Sequence, residues 1–219
     1  MCEALDRYSK LPFYHVIAVD NCGDPPIKQS EHRAIITFRD DYHADEHKNK
    51  QGQGLQLAYT FGTGKETPYG PRAPIDHIFL IESDVIVQEG WDERQIELST
   101  VLPDWATLDV TSIDAEGSVT YPATISPRHS TVDFHGHSFD HQHYADFQCT
   151  LFNPLIWTLT PPIRFDDFPS HFDILFSRKV EERTGLKHYR SNELKAIHYP
   201  SSSRNFNDPN HELYMKEPV

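Results

Sequence analysis

The sequence predicts an α/β fold in which a mostly parallel central sheet is flanked by helices. Three observations predict it. The runs FYHVIAV (Phe13 to Val19), RAIITF (Arg33 to Phe38) and IFLI (Ile78 to Ile81) are nearly continuous in apolar residues rather than alternating, as strands buried on both faces are. A helical pattern separates the second run from the third, and each run gives way to polar residues. Strands alternating with helices in this way make βαβ units.

In chain order, residues 2 to 10 (CEALDRYSK) carry helix formers with Ala4, Leu5 and Tyr8 on one side, and Pro12 stops the helix. The strand at Phe13 to Val19 runs into Asp20-Asn21-Cys22-Gly23-Asp24-Pro25-Pro26, a dense turn signal. A polar loop follows Phe38, and Leu55 to Phe61 read as helix. Gly52 and Gly54 let that helix begin close to a ligand or a neighbouring strand. A Gly- and Pro-rich loop over 62 to 74 leads to Ile78 to Ile81, which is interrupted by Glu82-Ser83-Asp84 and resumes as Val85-Ile86-Val87. Asp92 to Leu102 read as a short helix, and Leu108 to Ile113, Ser118 to Ile125 and Phe147 to Phe152 as further strands. A helix from about His171 to Thr184 has Ser170 as its N-cap and Gly185 just past its end, and Lys195 to His198 form a last short strand. The expected organisation is one domain over residues 1 to 204 and a polar tail over 205 to 219.

Composition removes several classes of function. The 219 residues can bury a large core, and 37% hydrophobic with 12% aromatic residues is not the make-up of a disordered chain. A formal charge of −13 argues against binding to nucleic acid or to an anionic membrane, which need a basic face. Cys2, Cys22 and Cys149 have neither the pairing nor the spacing of a disulfide or zinc framework, so a reducing compartment is expected. No stretch approaches the about 20 apolar residues of a spanning helix, and MCEALDRYSK lacks the layout of a signal peptide. A cytoplasmic protein without a transmembrane segment is expected.

The chemistry is concentrated at strand ends. Acids at the carboxyl end of a buried strand sit where open α/β sheets bind ligands. Glu82 and Asp84, one residue apart, present oxygens to a hard divalent cation such as Mg²⁺ or Mn²⁺ that keeps positions open for phosphate. Taken alone, the same pair also simply ends a strand.

Four features recur in order: a strand ending in Asp20-Asn21, a Gly-containing loop before a helix, a strand ending in Glu82-Ser83-Asp84, and a late block of Phe165-Asp166-Asp167, Asp173, Arg178, Gly185 and Ile197-His198. This order resembles the GT-A glycosyltransferases of inverting family 2, over roughly residues 2 to 204. The resemblance implies a Rossmann-like, nucleotide-diphospho-sugar transferase fold and a metal-dependent transfer from a nucleotide sugar, a UDP-sugar being favoured, to an acceptor hydroxyl with inversion. It implies that Asp20 and Asn21 meet the base, that Asn49, Glu82, Ser83 and Asp84 also bind the nucleotide, and that Asp84, Glu82 and His198 hold Mn²⁺ or Mg²⁺. Asp173 is the implied base and Asp167 its reserve. Three departures stand out. The family's first strand, which precedes the helix matched by residues 2 to 10, has no counterpart; the metal motif begins with Glu rather than Asp; and His171 and Phe172 stand where the family has an acidic pair.

Each residue has a plainer reading. Asp173 favours a helix N-terminus, Asp20 caps a turn, His198 is a structural histidine, and Arg178 pairs with Glu182 four residues on. Residues 126 to 146 hold five of the 14 histidines. His135, His137, His141 and His143 suit a transition metal by type, yet no cysteine joins them, so an acceptor-side loop with Phe134, Phe139 and Tyr144 is preferred. Two other functions compete: a GT-A-like binding or accessory domain without catalysis, and a nucleotidyltransferase, which would want a Gly-rich phosphate loop that is not seen.

Overall fold

A computed structural model describes residues 16–21, 33–38, 50–63, 66–67, 70–71, 76–82, 85–114, 116–119, 130–168 and 172–198. Their elements in chain order are β1 (Val16–Asn21), β2 (Arg33–Phe38), α1 (Lys50–Thr63), β3 (Glu66–Thr67), β4 (Gly70–Pro71), β5 (Ile78–Ile81), β6 (Val85–Val87), α2 (Trp91–Ser99), β7 (Trp105–Ile113), β8 (Ser130–Phe134), β9 (His137–Gln142), β10 (Cys149–Phe152), α3 (Phe172–Thr184) and β11 (Lys187–His198). Short 3-10 turns lie at Pro154–Thr158 and Phe165–Asp167. None of the described helices is long and apolar enough to cross a membrane. The chain divides into two compact units, Met1–Ile78 with Phe152–Leu186, and Phe79–Leu151 with Lys187–Val219.

The fold is α/β, but its main sheet is mixed. In the first unit β1 and β2 pair in parallel, Val16 opposite Arg33 through Asn21 opposite Phe38. In the second, a seven-stranded sheet runs β5-β10-β7-β11-β9-β8, with β6 added alongside β11. There β7 and β11 are parallel, whereas β11 with β9, β9 with β8, and β11 with β6 are antiparallel. The mostly parallel sheet expected from the sequence is therefore only partly present.

Two local causes explain the difference. The histidine-rich stretch, expected as a loop, forms the β8-β9 hairpin. Its two-residue connection, His135-Gly136, has φ of 54° and 83°, and Phe134 pairs with His137 across it. Positive φ at both central residues matches the twist of the strands, and the Asp133 side chain accepts the Gly136 amide N–H at 3.1 Å. The last strand, expected only at Lys195–His198, begins at Lys187. Its first half, KHYRSNEL, is too polar to read as a strand, because its buried polar groups are matched within the fold rather than solvated.

The first unit is held by aromatic packing. Phe165 stacks on Phe176 at 4.7 Å, and Trp157 lies within 4.3 Å of Tyr59 and within 6.3 Å of Phe176, ring centre to ring centre. Gln56 of α1 ties this cluster to its helix, its side-chain oxygen accepting the Phe165 amide at 3.0 Å. Gly52 and Gly54, expected to precede the helix, lie within it. α3 ends as expected: Gly185 takes φ of 72° and its N–H donates to the Glu181 carbonyl at 2.8 Å.

In the second unit Leu98 and Leu102 pack with Leu108, Phe139, Leu151 and Tyr189. Strand β7 is buried along almost all its length. Ala106, Leu108 and Val110 alternate with Thr107, Asp109 and Thr111, so one face of the strand is apolar and the other polar. The polar face is satisfied locally: Thr107 meets His188 Nδ1 at 2.9 Å, and Thr111 donates to the Ser191 carbonyl at 2.7 Å.

Candidate functional site

The sequence places its candidate metal ligands at the end of β5 and the end of β11. Both ends belong to the second unit. The apolar run of β5 gives way at Glu82, which is half-buried; its N–H donates to the Gln148 carbonyl at 2.8 Å and its carbonyl accepts the Val85 N–H at 3.2 Å. The chain then enters β6, whose Val85 pairs with His198 and whose Val87 pairs with Ala196. His198, 1% exposed, is thereby set in register with the residue that follows Asp84. Ser83 and Asp84 themselves lie outside the described residues. So do Asn49, Ser170 and His171.

The remaining candidates belong to the first unit. Asp20 and Asn21 close β1, as the last two residues of the strand rather than the start of a loop. Asp173 sits in the first turn of α3, half-buried, and its carbonyl accepts the Ser177 hydroxyl at 2.7 Å. Asp167 is exposed, and its carboxylate accepts the Arg164 amide N–H at 3.1 Å, capping the Phe165–Asp167 turn. Its neighbour Asp166 takes the Arg164 guanidinium at 2.8 Å twice over, a hydrogen-bonded pairing that lowers its pKa. The pairing of Arg178 with Glu182 is not what forms: Glu182 meets Lys179 at 3.1 Å.

The histidines separate. His135 stands in the hairpin turn and His137 just after it, and His137 Nδ1 meets Glu193 at 2.8 Å. His141 lies on β9 against the Tyr189 ring, 5.7 Å between centres. Among the described residues no three of His, Cys, Asp or Glu come together as a ligand set. For the proposed cation the donor types are the relevant test: two carboxylates one residue apart and a buried imidazole in register with the next residue suit Mn²⁺ better than a thiolate-seeking metal.

Sequence reasoning missed a buried polar cluster in the same unit. Arg190 of β11 meets Asp140 at 3.1 Å and Asp146 at 3.7 Å. Asp140 also accepts from Thr131 at 3.0 Å and Asn192 at 3.1 Å. Asp109, in the middle of β7, accepts the Asp146 N–H at 2.9 Å and the Thr150 hydroxyl. Burial, then the neighbouring Asp146 charge, raises the Asp109 carboxyl from 3.8 to about 8, while Arg190 opposes this only weakly. Burial also raises the thiol of Cys149 well above its usual range, with the Asp109 and Asp92 charges adding to it. One sequence signal points here: Asp109 is the only charged residue within the strand pattern TLDVTSI.

No protein-family model matches the sequence, and no curated protein matches it either.

Proposed function

We propose that this chain is a metal-dependent glycosyltransferase of the GT-A type, transferring a sugar from a nucleotide diphosphate sugar, UDP-linked by preference, to an acceptor hydroxyl with inversion. The observation that carries this reading is the β6-β11 register, which aligns His198 with Val85, the residue that follows Glu82-Ser83-Asp84 in the sequence. The order of motifs along the sequence supports it independently.

On this reading Asp84 is the principal ligand of Mn²⁺ or Mg²⁺, with Glu82 on the ribose or diphosphate and His198 as a further ligand or diphosphate donor. The cation supplies charge neutralisation for the departing diphosphate. Glu82 is well suited to a positioning role, because both its amide and its carbonyl are tied down. Asp20 and Asn21 take the base. Asp173 accepts the proton of the acceptor hydroxyl as the acceptor oxygen bonds to the anomeric carbon and the bond to the diphosphate breaks. Asp167 is less suited to that role because its carboxylate caps a turn.

Calorimetry with UDP, with and without Mn²⁺, tests the proposal. The expected result is binding that requires the metal, is lost in Asp84→Ala and is weakened less in Glu82→Gln. Metal-dependent binding that survives in Asp84→Ala removes the site assignment, and a complete lack of UDP binding favours the non-catalytic accessory domain.

A further inference from the structure

We propose that Asp109 and Asp146 form a proton-controlled latch that holds the Asp146-Phe147-Gln148 segment against the carboxyl end of β5. The inference does not depend on what Glu82 binds. Asp109 is fixed on the buried strand β7, whereas Asp146 stands on the connection between β9 and β10 with its side chain 16% exposed. The two are joined by the Asp146 N–H, which donates to Asp109 Oδ2 at 2.9 Å. Two residues on, the Gln148 carbonyl accepts the Glu82 N–H at 2.8 Å and its side-chain oxygen accepts the Ser112 hydroxyl. Between them Phe147, buried, is held at φ of 57°, a left-handed conformation costly for a bulky residue.

The charges around the pair decide when the latch holds. From β11, Arg190 faces Asp146 and is already paired with Asp140 of β9; His198, also of β11, acts on Asp146. From β10 come the Thr150 hydroxyl and the Cys149 thiol, and the Asp92 charge of α2 reaches Cys149. With Asp109 neutral, Asp140 and Asp146 face the one guanidinium of Arg190. Ionising Asp109 adds a third carboxylate to the group, and the Arg190 charge, the smallest of the influences on it, offsets little of that. The strained segment is the part that can yield, carrying Asp146 towards water and releasing Phe147. Gln142 also reaches Asp146, donating through Nε2 at 3.4 Å.

The sign follows from linkage. The closed segment holds the Asp109 proton up to about 8, whereas an open one releases it near 3.8, so closure is favoured at low pH and lost as pH rises between those values. Amide hydrogen exchange of the full chain, corrected for intrinsic rates, is measured from pH 5 to 9. Protection of 144–148 and of Glu82 is expected to fall about tenfold per pH unit and to level off above about 8. In Asp109→Asn, which keeps an acceptor for the Asp146 N–H and cannot ionise, protection should be flat with pH. Should that variant not fold, Asp146→Asn replaces it: removing the neighbouring charge moves the plateau to lower pH. Flat protection in the unaltered chain, an unchanged slope in Asp109→Asn, an unmoved plateau in Asp146→Asn, or exchange at 144–148 no faster than at 106–110 at every pH, overturns the proposal.

Discussion

Arg190 and Asp140 meet at 3.1 Å with side chains only 5% and 8% exposed, so neither charge has water to fall back on. Breaking such a pair from one side costs more than removing both partners, because the survivor is left charged and buried. Arg190→Met is therefore expected to lower unfolding free energy by about 3 to 5 kcal/mol. Adding Asp140→Leu should recover part of that loss, as urea unfolding of the two variants will show.

Asp109 makes stability depend on pH in the direction opposite to that of most acids. Its pKa is raised in the folded chain, from 3.8 to about 8, so its contribution is full below about 4 and is lost as pH rises towards about 8. Against Asp109→Asn, the unaltered chain should lose up to about 1.4 kcal/mol of stability per pH unit across that window. Denaturation midpoints at pH 5.5, 7 and 8.5 provide the comparison, and parallel curves for the two proteins would contradict it.

Phe176 is fully buried and packs against Phe165, Trp157 and Phe152. Truncation to Ala leaves a cavity that the surrounding rings, each fixed by others, fill only in part. The expected loss is about 3 to 5 kcal/mol, read as a fall in melting temperature.

Asp173 and Asp167 are separated by one experiment. Asp173→Asn should leave UDP affinity intact yet reduce sugar transfer by about 10² to 10⁴, the scale of lost general-base help. Asp167→Asn should keep transfer, while Asp167→Ala should lower stability by about 1 kcal/mol by removing a cap on the Arg164 amide. Transfer is followed as UDP released from UDP-glucose, UDP-galactose and UDP-N-acetylglucosamine with a mixed pool of sugar acceptors. A dead Asp167→Asn beside a normal Asp173→Asn reverses the assignment.

Cys149 should resist alkylation while the chain is folded. Its side chain is buried and its thiol is held protonated by burial and by nearby acids. Peptide mapping after N-ethylmaleimide treatment should find Cys149 unlabelled at pH 8 and labelled in urea.

The strands were legible where their sequence is apolar, though not their place in the sheet. Ile78–Ile81 and Arg33–Phe38 announce themselves as strands by uninterrupted hydrophobic runs, and α2 and α3 by periodicity and end residues such as Gly185, but β5, expected to be buried on both faces, lies at the edge of its sheet with its residues half-buried and Ile81 exposed. What was not legible is burial that is polar. Nothing in KHYRSNEL signals that His188, Arg190 and Ser191 are inside, since their partners Thr107, Asp140 and Thr111 come from distant stretches. The hairpin turn escaped for a smaller reason: its first left-handed residue is His135 rather than the Asn or Asp that usually marks such turns. Of the candidate site, the strand ends could be read from sequence, but the alignment of His198 with Val85 could not, because it depends on a pairing across more than half the chain.

Strand β11 changes partner midway. Val110 faces Ser191 and the next residue of β7, Thr111, faces Lys195, so Asn192, Glu193 and Leu194 are set out of the ladder. Before this interruption β11 pairs with β9, after it with β6. The Ser191 hydroxyl accepts the Glu193 and Leu194 amides at 3.1 and 3.2 Å, so the detour leaves neither of them wanting. The interruption separates the two pairings: residues 188–191 lie along β9 and residues 196–198 along β6, so the alignment of His198 with Val85 belongs to the second pairing alone.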